Sequence, residues 1–333
     1  MPSRILVSRT DGIGDVILTL PLAGVLKERF PEAQVLFLGS AHVRPVVGLS
    51  RHVDGFVDWT GLDALDATER VRQLRALELD CVIHAYPRPA IAELARRAGV
   101  PVRIGTAGRL HHWTTCNRRV GFSRRRSGLH EAQLNLKLLR PLGIGRSFGL
   151  EELPGYCGIR PAARPSRPAD AAGGRTHVIL HPRSKGSARE WGTGNFRKLI
   201  ELLPAERYRI SVTGSREEGA GLADSGLFGF PHVEDVTGRF TLAELIVFIG
   251  GADALVAAST GPLHLAAALG VLAIGLYPPI RPMHPGRWAP LGTNVRVLVA
   301  ERACSECRGG GPCRCMQELR PESVRDLLES PGR

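Results

Sequence analysis

The chain has 333 residues, 43% of them hydrophobic, a length and composition that predict two domains with buried cores. No apolar run reaches the roughly 18 residues of a membrane-spanning helix, and the first residues lack the pattern of a secretory signal, so we expect a cytoplasmic protein. The net charge of +12 and the pI near 10.0 favour an anionic partner, although a GC-rich genome also produces an arginine-rich composition.

The first half alternates short apolar runs with helical segments. Such alternation is typical of a parallel sheet with crossover helices, and it predicts a first α/β domain over residues 1–158. The predicted strands are Ile5–Val7, Gln34–Leu38, Val53–Trp59 and Cys81–His84, and the predicted helices run to about Phe30, near Ala67–Leu77 and over His130–Leu142.

A glycine-rich loop after the first strand carries Asp15. Gly12 and Gly14 fit a dinucleotide-binding fingerprint, but Ile17 replaces its third glycine, and the next strand ends in Gly39-Ser40 without an acid for a ribose. We favour a second interpretation, in which the glycines let the backbone turn so that Asp15 faces a cleft and accepts a proton. The alternative is that Asp15 is the N-cap of the helix.

A linker and a second strand-first pattern follow. Residues 159–175 are rich in proline, alanine, glycine and arginine, as linkers are. We predict a second α/β domain over 176–316 and a C-terminal helix and tail over 317–333, with a ligand cleft between the carboxyl ends of the two sheets. The predicted strands are His177–His181, Tyr208–Thr213, Ala254–Ala257 and Leu272–Tyr277, and the predicted helices are Gly194–Leu203, one after Thr241, His264–Leu269 and Pro321–Leu328.

A glycine turn in the second half predicts a phosphate site. Thr260 is a good N-cap before Gly261, and Pro262 suits the first turn of the following helix. Unsatisfied N–H groups and the positive end of the helix dipole coincide at such a terminus. His264, one turn further, can reach the same ligand. The alternative is an ordinary turn with a core histidine.

Two loops after neighbouring strands support a nucleotide diphosphate as that ligand. One contains Arg183, Ser184, Lys185 and Arg189, and the planar fork of arginine suits a diphosphate. The other contains Glu218, an acid able to hold ribose hydroxyls. Taken alone, the first would be a solvated basic loop.

These motifs together resemble those of the lipopolysaccharide heptosyltransferases of glycosyltransferase family 9. Residues 5–21 are similar to the family's N-terminal signature, residues 130–143 to the end of its acceptor domain, Arg189-Glu190-Trp191 to a basic-x-Trp motif, and Thr260–Gly270 to its donor-site signature. The resemblance implies a GT-B fold, with two Rossmann-like domains whose parallel sheets face a central cleft, the acceptor domain first and the nucleotide-sugar domain second.

The same resemblance implies an inverting, metal-independent transferase that moves a heptose-type sugar from ADP-heptose onto the lipopolysaccharide inner core or a related glycan. In it Asp15 is the general base, and Lys185, Arg189, Thr260 and Gly261 offset the charge of the leaving diphosphate. It also implies His264 at the nucleotide phosphates, Glu218 at the ribose, a lipid-linked glycan acceptor, peripheral contact with the anionic inner membrane, and no nucleic-acid partner.

The acceptor site is predicted less sharply than the donor site. Asp11, Arg118 and Arg119, with the arginines 124–126, are candidates to bind acidic groups of the acceptor, and a solvated arginine-rich loop is the alternative. One departure from the family pattern lies at Ser259, where many members carry an aspartate near the donor sugar.

That departure keeps rival interpretations open. They are a protein O-heptosyltransferase with the same chemistry, a nucleotide-sugar binding protein without catalysis, and a nicotinamide-dependent oxidoreductase, the last weakened by the incomplete glycine fingerprint.

Four cysteines cluster near the C-terminus. Cys304, Cys307, Cys313 and Cys315 are candidate ligands of a structural zinc or iron, although Cys-x-Cys spacing is less usual than Cys-x-x-Cys in such sites. The alternatives are reduced thiols or a local disulfide. No cofactor is required for the predicted catalysis.

Overall fold

The computed structural model describes residues 2–160, 174–281, 283–301 and 313–330. The chain folds as two compact units, Met1–Arg160 and Pro161–Arg333. Within the described residues each unit contains one parallel sheet of six strands with helices between the strands. The predicted fold class, two Rossmann-like α/β domains, is confirmed. None of the described helices is both long enough and apolar enough to cross a bilayer.

The sheet of the first unit contains β1 (Arg4–Ser8), β2 (Gln34–Gly39), β3 (Gly55–Asp58), β4 (Cys81–His84), β5 (Val102–Thr106) and β6 (Arg118–Val120). The strand order is β3-β2-β1-β4-β5-β6, so β1 lies inside the sheet between β2 and β4. Val7 is in register with Phe37 on one side and with Ile83 on the other. Ile5, Leu6 and Val7 are all fully buried because helices cover both faces of the sheet.

The helices of the first unit are α1 (Ile13–Ile17), α2 (Pro21–Arg29), α3 (Arg44–Val47), α4 (Trp59–Asp63), α5 (Ala67–Arg75), α6 (Pro89–Arg97), α7 (His111–Thr115), α8 (Glu131–Leu136) and α9 (Leu153–Cys157), with 3₁₀ turns at Ala41–Val43 and Lys137–Leu142. The expectation of one continuous helix as far as Phe30 was wrong. Proline lacks a backbone N–H and fits only the first turn of a helix, so Pro21 starts a new one. The predicted helix over His130–Leu142 likewise becomes 3₁₀ after Leu136, in a segment that contains Pro141.

The second unit repeats the same arrangement. Its strands are β7 (Thr176–His181), β8 (Tyr208–Val212), β9 (Val233–Asp235), β10 (Ala254–Ala258), β11 (Leu272–Tyr277) and β12 (Val295–Val299), in the order β12-β11-β10-β7-β8-β9. Its helices are α10 (Thr193–Leu202), α11 (Arg216–Ala220), α12 (Leu242–Gly250), α13 (Gly261–Ala268), α14 (Pro285–Trp288), α15 (Arg314–Gln317) and α16 (Pro321–Glu329), with a 3₁₀ turn at Ala223–Ser225.

A buried tryptophan anchors the C-terminal segment to this second sheet. Trp191 is fully buried, stacks edge-on against Phe196, and donates its indole N–H to the carbonyl oxygen of Leu319 at 2.9 Å. Cys313 and Cys315 belong to the same apolar core cluster. The Trp of the basic-x-Trp motif therefore packs the core, and only its neighbours in the loop are available to a ligand.

Candidate active site

The loop after β1 and the first turn of α1 position Asp15. Gly12 is the N-cap of α1, and Asp15 is the third residue of the helix. The alternative that Asp15 is itself the N-cap is therefore wrong. The Asp15 backbone carbonyl accepts a hydrogen bond from the Thr19 hydroxyl at 2.7 Å. Its side chain is 27% exposed, so the carboxylate is accessible to a substrate hydroxyl.

A buried arginine binds the Asp15 carboxylate. The Arg9 side chain is only 4% exposed, and its guanidinium contacts Asp11 at 2.6 Å, Glu131 at 3.4 Å and Asp15. Burial acts to lower the pKa of Arg9, but the three carboxylates outweigh it and raise the pKa above its ordinary value. Arg9 therefore remains a cation throughout the physiological range and holds the carboxylates together.

The same cluster tunes the protonation of Asp15. Burial raises the pKa of Asp15 to about 6; the charge of Arg9 opposes this, and the charges of Asp11 and Glu131 reinforce it. A carboxylate that titrates near neutral pH is suited to take a proton from a hydroxyl group and release it later. The predicted base thus lies in an environment that suits its role.

Helix α8, near the end of the first unit, contributes Glu131 and Asn135 to this cluster. Arg124 pairs with Glu131 and donates to Asn135 Oδ1 at 2.9 Å. The Asn135 amide donates to Thr19 Oγ1 at 3.1 Å, which connects α8 to the segment after α1. Two arginines, Arg9 and Arg124, thus face three carboxylates in this cluster, of which only Glu131 is almost fully buried.

The candidate acceptor residues do not all lie beside Asp15. Asp11 contacts Arg9 and belongs to the Asp15 cluster. Arg118 and Arg119 lie on β6, three strands away from β1, which corresponds to about 14 Å at the usual strand spacing. Among the arginines 124–126, Arg124 is bound to Glu131. Arg9, Glu131 and Asn135 were not singled out from the sequence.

The predicted phosphate site lies at the start of α13, directly after β10. Thr260 is the N-cap, as predicted, but its hydroxyl makes no capping hydrogen bond, and Pro262 lies in the first turn. The hydroxyl oxygen of Thr260 is buried and has no hydrogen-bond partner among the described residues. The backbone N–H of Gly261 and Leu263 precede the first intrahelical bond of α13, so they are the donors a phosphate would meet. His264 is buried at 3% exposure.

The basic loop after β7 is held in shape by Glu190. One oxygen of this carboxylate accepts from the backbone N–H and hydroxyl of Ser184, at 2.9 and 3.0 Å. The other accepts from Arg183 at 3.2 Å, and Arg183 also donates to the carbonyl of Gly221 at 2.9 Å. Arg183 and Ser184 therefore shape the loop, and Lys185 is its exposed cation. Lys185 has a positive φ of 48°, a left-handed backbone conformation that is typical of a tight turn.

Glu218 has a structural role that the sequence analysis did not foresee. It forms a capping box with Ser215, in which the backbone N–H of Ser215 donates to Glu218 Oε2 at 2.7 Å. Burial lowers the pKa of His181, which bonds Thr213 at 3.0 Å, and the charge of Glu218 opposes that shift. Glu218 thus lies near the carboxyl ends of β7 and β8, with one oxygen engaged in the cap.

Ser259, which departs from the family pattern, contacts a buried tyrosine. Burial raises the pKa of the Tyr277 phenol, and a hydrogen bond from Ser259 opposes the shift. Tyr277 in turn donates to the carbonyl oxygen of Trp288 at 2.7 Å. The serine hydroxyl therefore joins a hydrogen-bond chain inside the second unit.

The described residues do not form a metal site. No group of three or more His, Cys, Asp or Glu among them is placed to hold an ion. Cys313 and Cys315 are buried in the apolar core cluster of the second unit, which accounts for their position. Cys304 and Cys307 lie outside the described residues, so the metal stays a prediction.

Known proteins share both the sequence pattern and the fold. A putative glycosyltransferase of Haemophilus influenzae is 26% identical over 86% of both chains, and lipopolysaccharide heptosyltransferase 3 of Escherichia coli is 25% identical over 79% of this chain and 80% of that one. The solved structure of E. coli heptosyltransferase WaaC with ADP, 20% identical, has a TM-score of 0.73 and covers 98% of this chain and 99% of that one. The family model of glycosyltransferase family 9 (heptosyltransferase) matches residues 68–314, so the chain belongs to this family.

Proposed function

We propose that the protein is an inverting heptosyltransferase that moves a heptose from ADP-heptose onto the lipopolysaccharide inner core or a related glycan. The observation that carries the proposal is the position of Asp15, whose carboxylate is partly exposed and bound by the buried Arg9. Burial raises the pKa of Asp15 to about 6, which agrees with this role. The family match, a relative named lipopolysaccharide heptosyltransferase 3 and a related structure with ADP support the substrates.

In the proposed reaction Asp15 accepts the proton of an acceptor hydroxyl. The acceptor oxygen forms a bond to the anomeric carbon while the bond from that carbon to the β-phosphate oxygen breaks, and ADP departs with the electron pair. Attack from the face opposite the phosphate inverts the anomeric centre. Arg9 stays protonated because three carboxylates surround it, so it fixes the orientation of Asp15 without competing for the proton.

The second unit would stabilise the departing diphosphate. The N–H groups at the start of α13 and the cation of Lys185 lie at the carboxyl ends of β10 and β7, neighbouring strands of the sheet. Donors aimed at developing negative charge lower the barrier of group transfer, and this arrangement needs no divalent ion. We assign Arg189 and His264 to the same ligand, and Glu218 to the ribose through the oxygen that the cap leaves available.

We place the enzyme on the cytoplasmic side of the inner membrane, where a lipid-linked acceptor would be met. A structural zinc or iron at the four cysteines stays a prediction that metal analysis of the purified protein tests, and no step of the reaction uses it.

The transfer itself can be measured directly. Purified protein is incubated with ADP-heptose and a heptose-deficient lipopolysaccharide core, and the product is identified by mass spectrometry together with the released ADP. Asp15→Asn should lower the turnover number by about a hundredfold to ten-thousandfold while ADP still binds. Asp224→Asn, a change at an exposed aspartate, is the matched control.

Three results would contradict the proposal. Unchanged turnover in Asp15→Asn would remove Asp15 as the base. Binding of ADP without transfer to any acceptor would leave a nucleotide-sugar binding protein, and transfer to a protein hydroxyl alone would reassign the acceptor.

A further inference from the structure

The positive charge of the protein is concentrated in one part of the first unit. Residues 94–130 contain nine arginines and neither aspartate nor glutamate. This segment includes β5, α7, β6 and the loop after β6. Arg109, Arg125 and Arg126 have no ion-pair partner among the described residues, unlike Arg9 and Arg124. The reaction proposed above does not use these free arginines.

Two large apolar side chains are exposed within the same segment. Leu110 is 89% exposed and Trp113 is 58% exposed. They are three residues apart, and the N–H of Trp113 bonds the carbonyl of Leu110 at 2.9 Å, so both side chains lie on one side of a helical turn. The indole N–H is satisfied by the carbonyl of Ala107 at 3.0 Å. Only the apolar ring of Trp113 is therefore offered to a partner.

Cationic groups flank this apolar pair. Arg109 precedes Leu110 and is exposed, and the guanidinium of Arg119 lies 4.6 Å from the centre of the Trp113 ring. We call Arg109, Leu110, Trp113 and Arg119 the Trp113 surface. Tryptophan and leucine flanked by arginine are the side chains that enter the interface of a bilayer while cations bind its phosphates.

We propose that the Trp113 surface docks the protein onto an anionic phospholipid bilayer. Arg96 and Arg97 pair with Glu93, and Arg124 pairs with Glu131. Charge complementarity still favours this partner, because the other arginines of the segment, including Arg109 and Arg119, have no ion-pair partner among the described residues and suit a continuous negative surface. The inference rests on the proposed function in one respect, which is that the acceptor is anchored to a lipid.

The position of the Trp113 surface in the first unit agrees with that requirement. Parallel strands end at the same edge of a sheet, so the loop after β5 with Leu110 lies at the edge that also carries the start of α1 with Asp15. β4 lies between β1 and β5, which separates them by about 10 Å. Tyr86, in the loop after β4, is 40% exposed, and its ring lies 5.8 Å from the Arg9 guanidinium. A bilayer bound at the Trp113 surface would thus present its glycans near Asp15.

The test is co-sedimentation of the full-length protein with vesicles of phosphatidylcholine alone or with added phosphatidylglycerol. We expect binding to the anionic vesicles only, weakened by salt. Arg109→Gln should reduce the affinity about fivefold, and the double change Leu110→Ser with Trp113→Ser about tenfold or more.

Matched controls separate these effects from general changes in surface. Arg29→Gln removes another exposed arginine of the first unit that lies against an aromatic ring, and Val247→Ser removes a side chain of the second unit that is 75% exposed. Both should bind vesicles as the unchanged protein does. Thermal unfolding of each variant checks that the fold is retained.

Failure of this proposal is distinguishable from failure of the proposed function. Leu110→Ser with Trp113→Ser should transfer heptose to a soluble, deacylated acceptor at the normal rate. Vesicle binding that is absent, that is unchanged in the variants, or that requires lipopolysaccharide in the vesicle would overturn the docking surface. Vesicle binding without heptose transfer to any acceptor would overturn only the proposed function.

Discussion

Arg9 donates a hydrogen bond to the carboxylate of Asp15 from a side chain that is almost completely buried. The contact orients the carboxylate, and it lowers the pKa that burial and two further carboxylates would otherwise raise beyond about 6. A general base needs a pKa between two extremes. A fully compensated aspartate would be too weak a base, and an uncompensated one would be protonated at neutral pH.

The first prediction concerns the pH dependence of transfer. Asp15 acts in its deprotonated form, so activity should be complete above the pKa and fall as the pH drops through about 6. The measurement is kcat/KM against pH, because this ratio reports the free enzyme. A profile that is flat between pH 7 and the pH at which the protein unfolds would contradict the assignment of Asp15.

The second prediction uses Glu131, whose negative charge raises the pKa of Asp15. Glu131→Gln removes that charge and leaves Arg9 with fewer competing carboxylates, so the pKa of Asp15 should fall. The acidic limb of the kcat/KM profile should move to lower pH. Glu151→Gln, at an exposed glutamate of the same unit, should leave the limb in place. A shift to higher pH would show that Glu131 acts by another route.

The sequence could predict Asp15 but not its environment. Asp15 lies in a local pattern of strand, glycine loop and helix that one stretch of sequence contains. Arg9 and Glu131 are 122 residues apart in the sequence. Only the tertiary fold brings the Arg9 guanidinium within 3.4 Å of the Glu131 carboxylate. The same limit explains Glu218, where the resemblance implies a ribose ligand and the structure adds a capping box with Ser215.

Four strands were missed from the sequence: β5, β6, β9 and β12. Two of them, β6 and β9, share a physical reason. β6 has three residues, two of them exposed arginines, and β9 is equally short, so neither has the apolar alternation that marks a strand. β6 and β9 lie at the edges of their sheets, where short polar strands are usual. The interior strands β1, β4, β7 and β10 were predicted, because burial on both faces produces continuous apolar runs.

The third prediction concerns stability in acid. Burial lowers the pKa of His84 to about 3, from 6.5, and both ring nitrogens lack hydrogen-bond partners among the described residues. Below pH 6.5 the unfolded chain binds a proton that the native state does not, so stability should fall by about 1.4 kcal/mol per pH unit towards pH 3. The stability that neutral His84 contributes is complete above pH 6.5.

His84→Leu tests this directly. The substitution removes the titration and leaves no hydrogen bond broken, so the urea-unfolding free energy should decline less between pH 6.5 and 5 than in the unchanged protein. His42→Leu, at an exposed histidine, should leave the acid dependence as it is. An identical decline in His84→Leu would mean that other groups cause it.

The fourth prediction compares two helical glycines with different surroundings. A Cβ on Gly24 of α2 would overlap the backbone carbonyl of Tyr156 in α9, whereas a Cβ on Gly194 of α10 would meet nothing within 4 Å. Gly24→Ala must displace backbone and should destabilise the protein by about 1–3 kcal/mol. Gly194→Ala restricts the unfolded chain without a clash and should stabilise it by about 0.4–1 kcal/mol. Urea unfolding measures both, and equal effects of the two substitutions would contradict the close packing of α2 on α9.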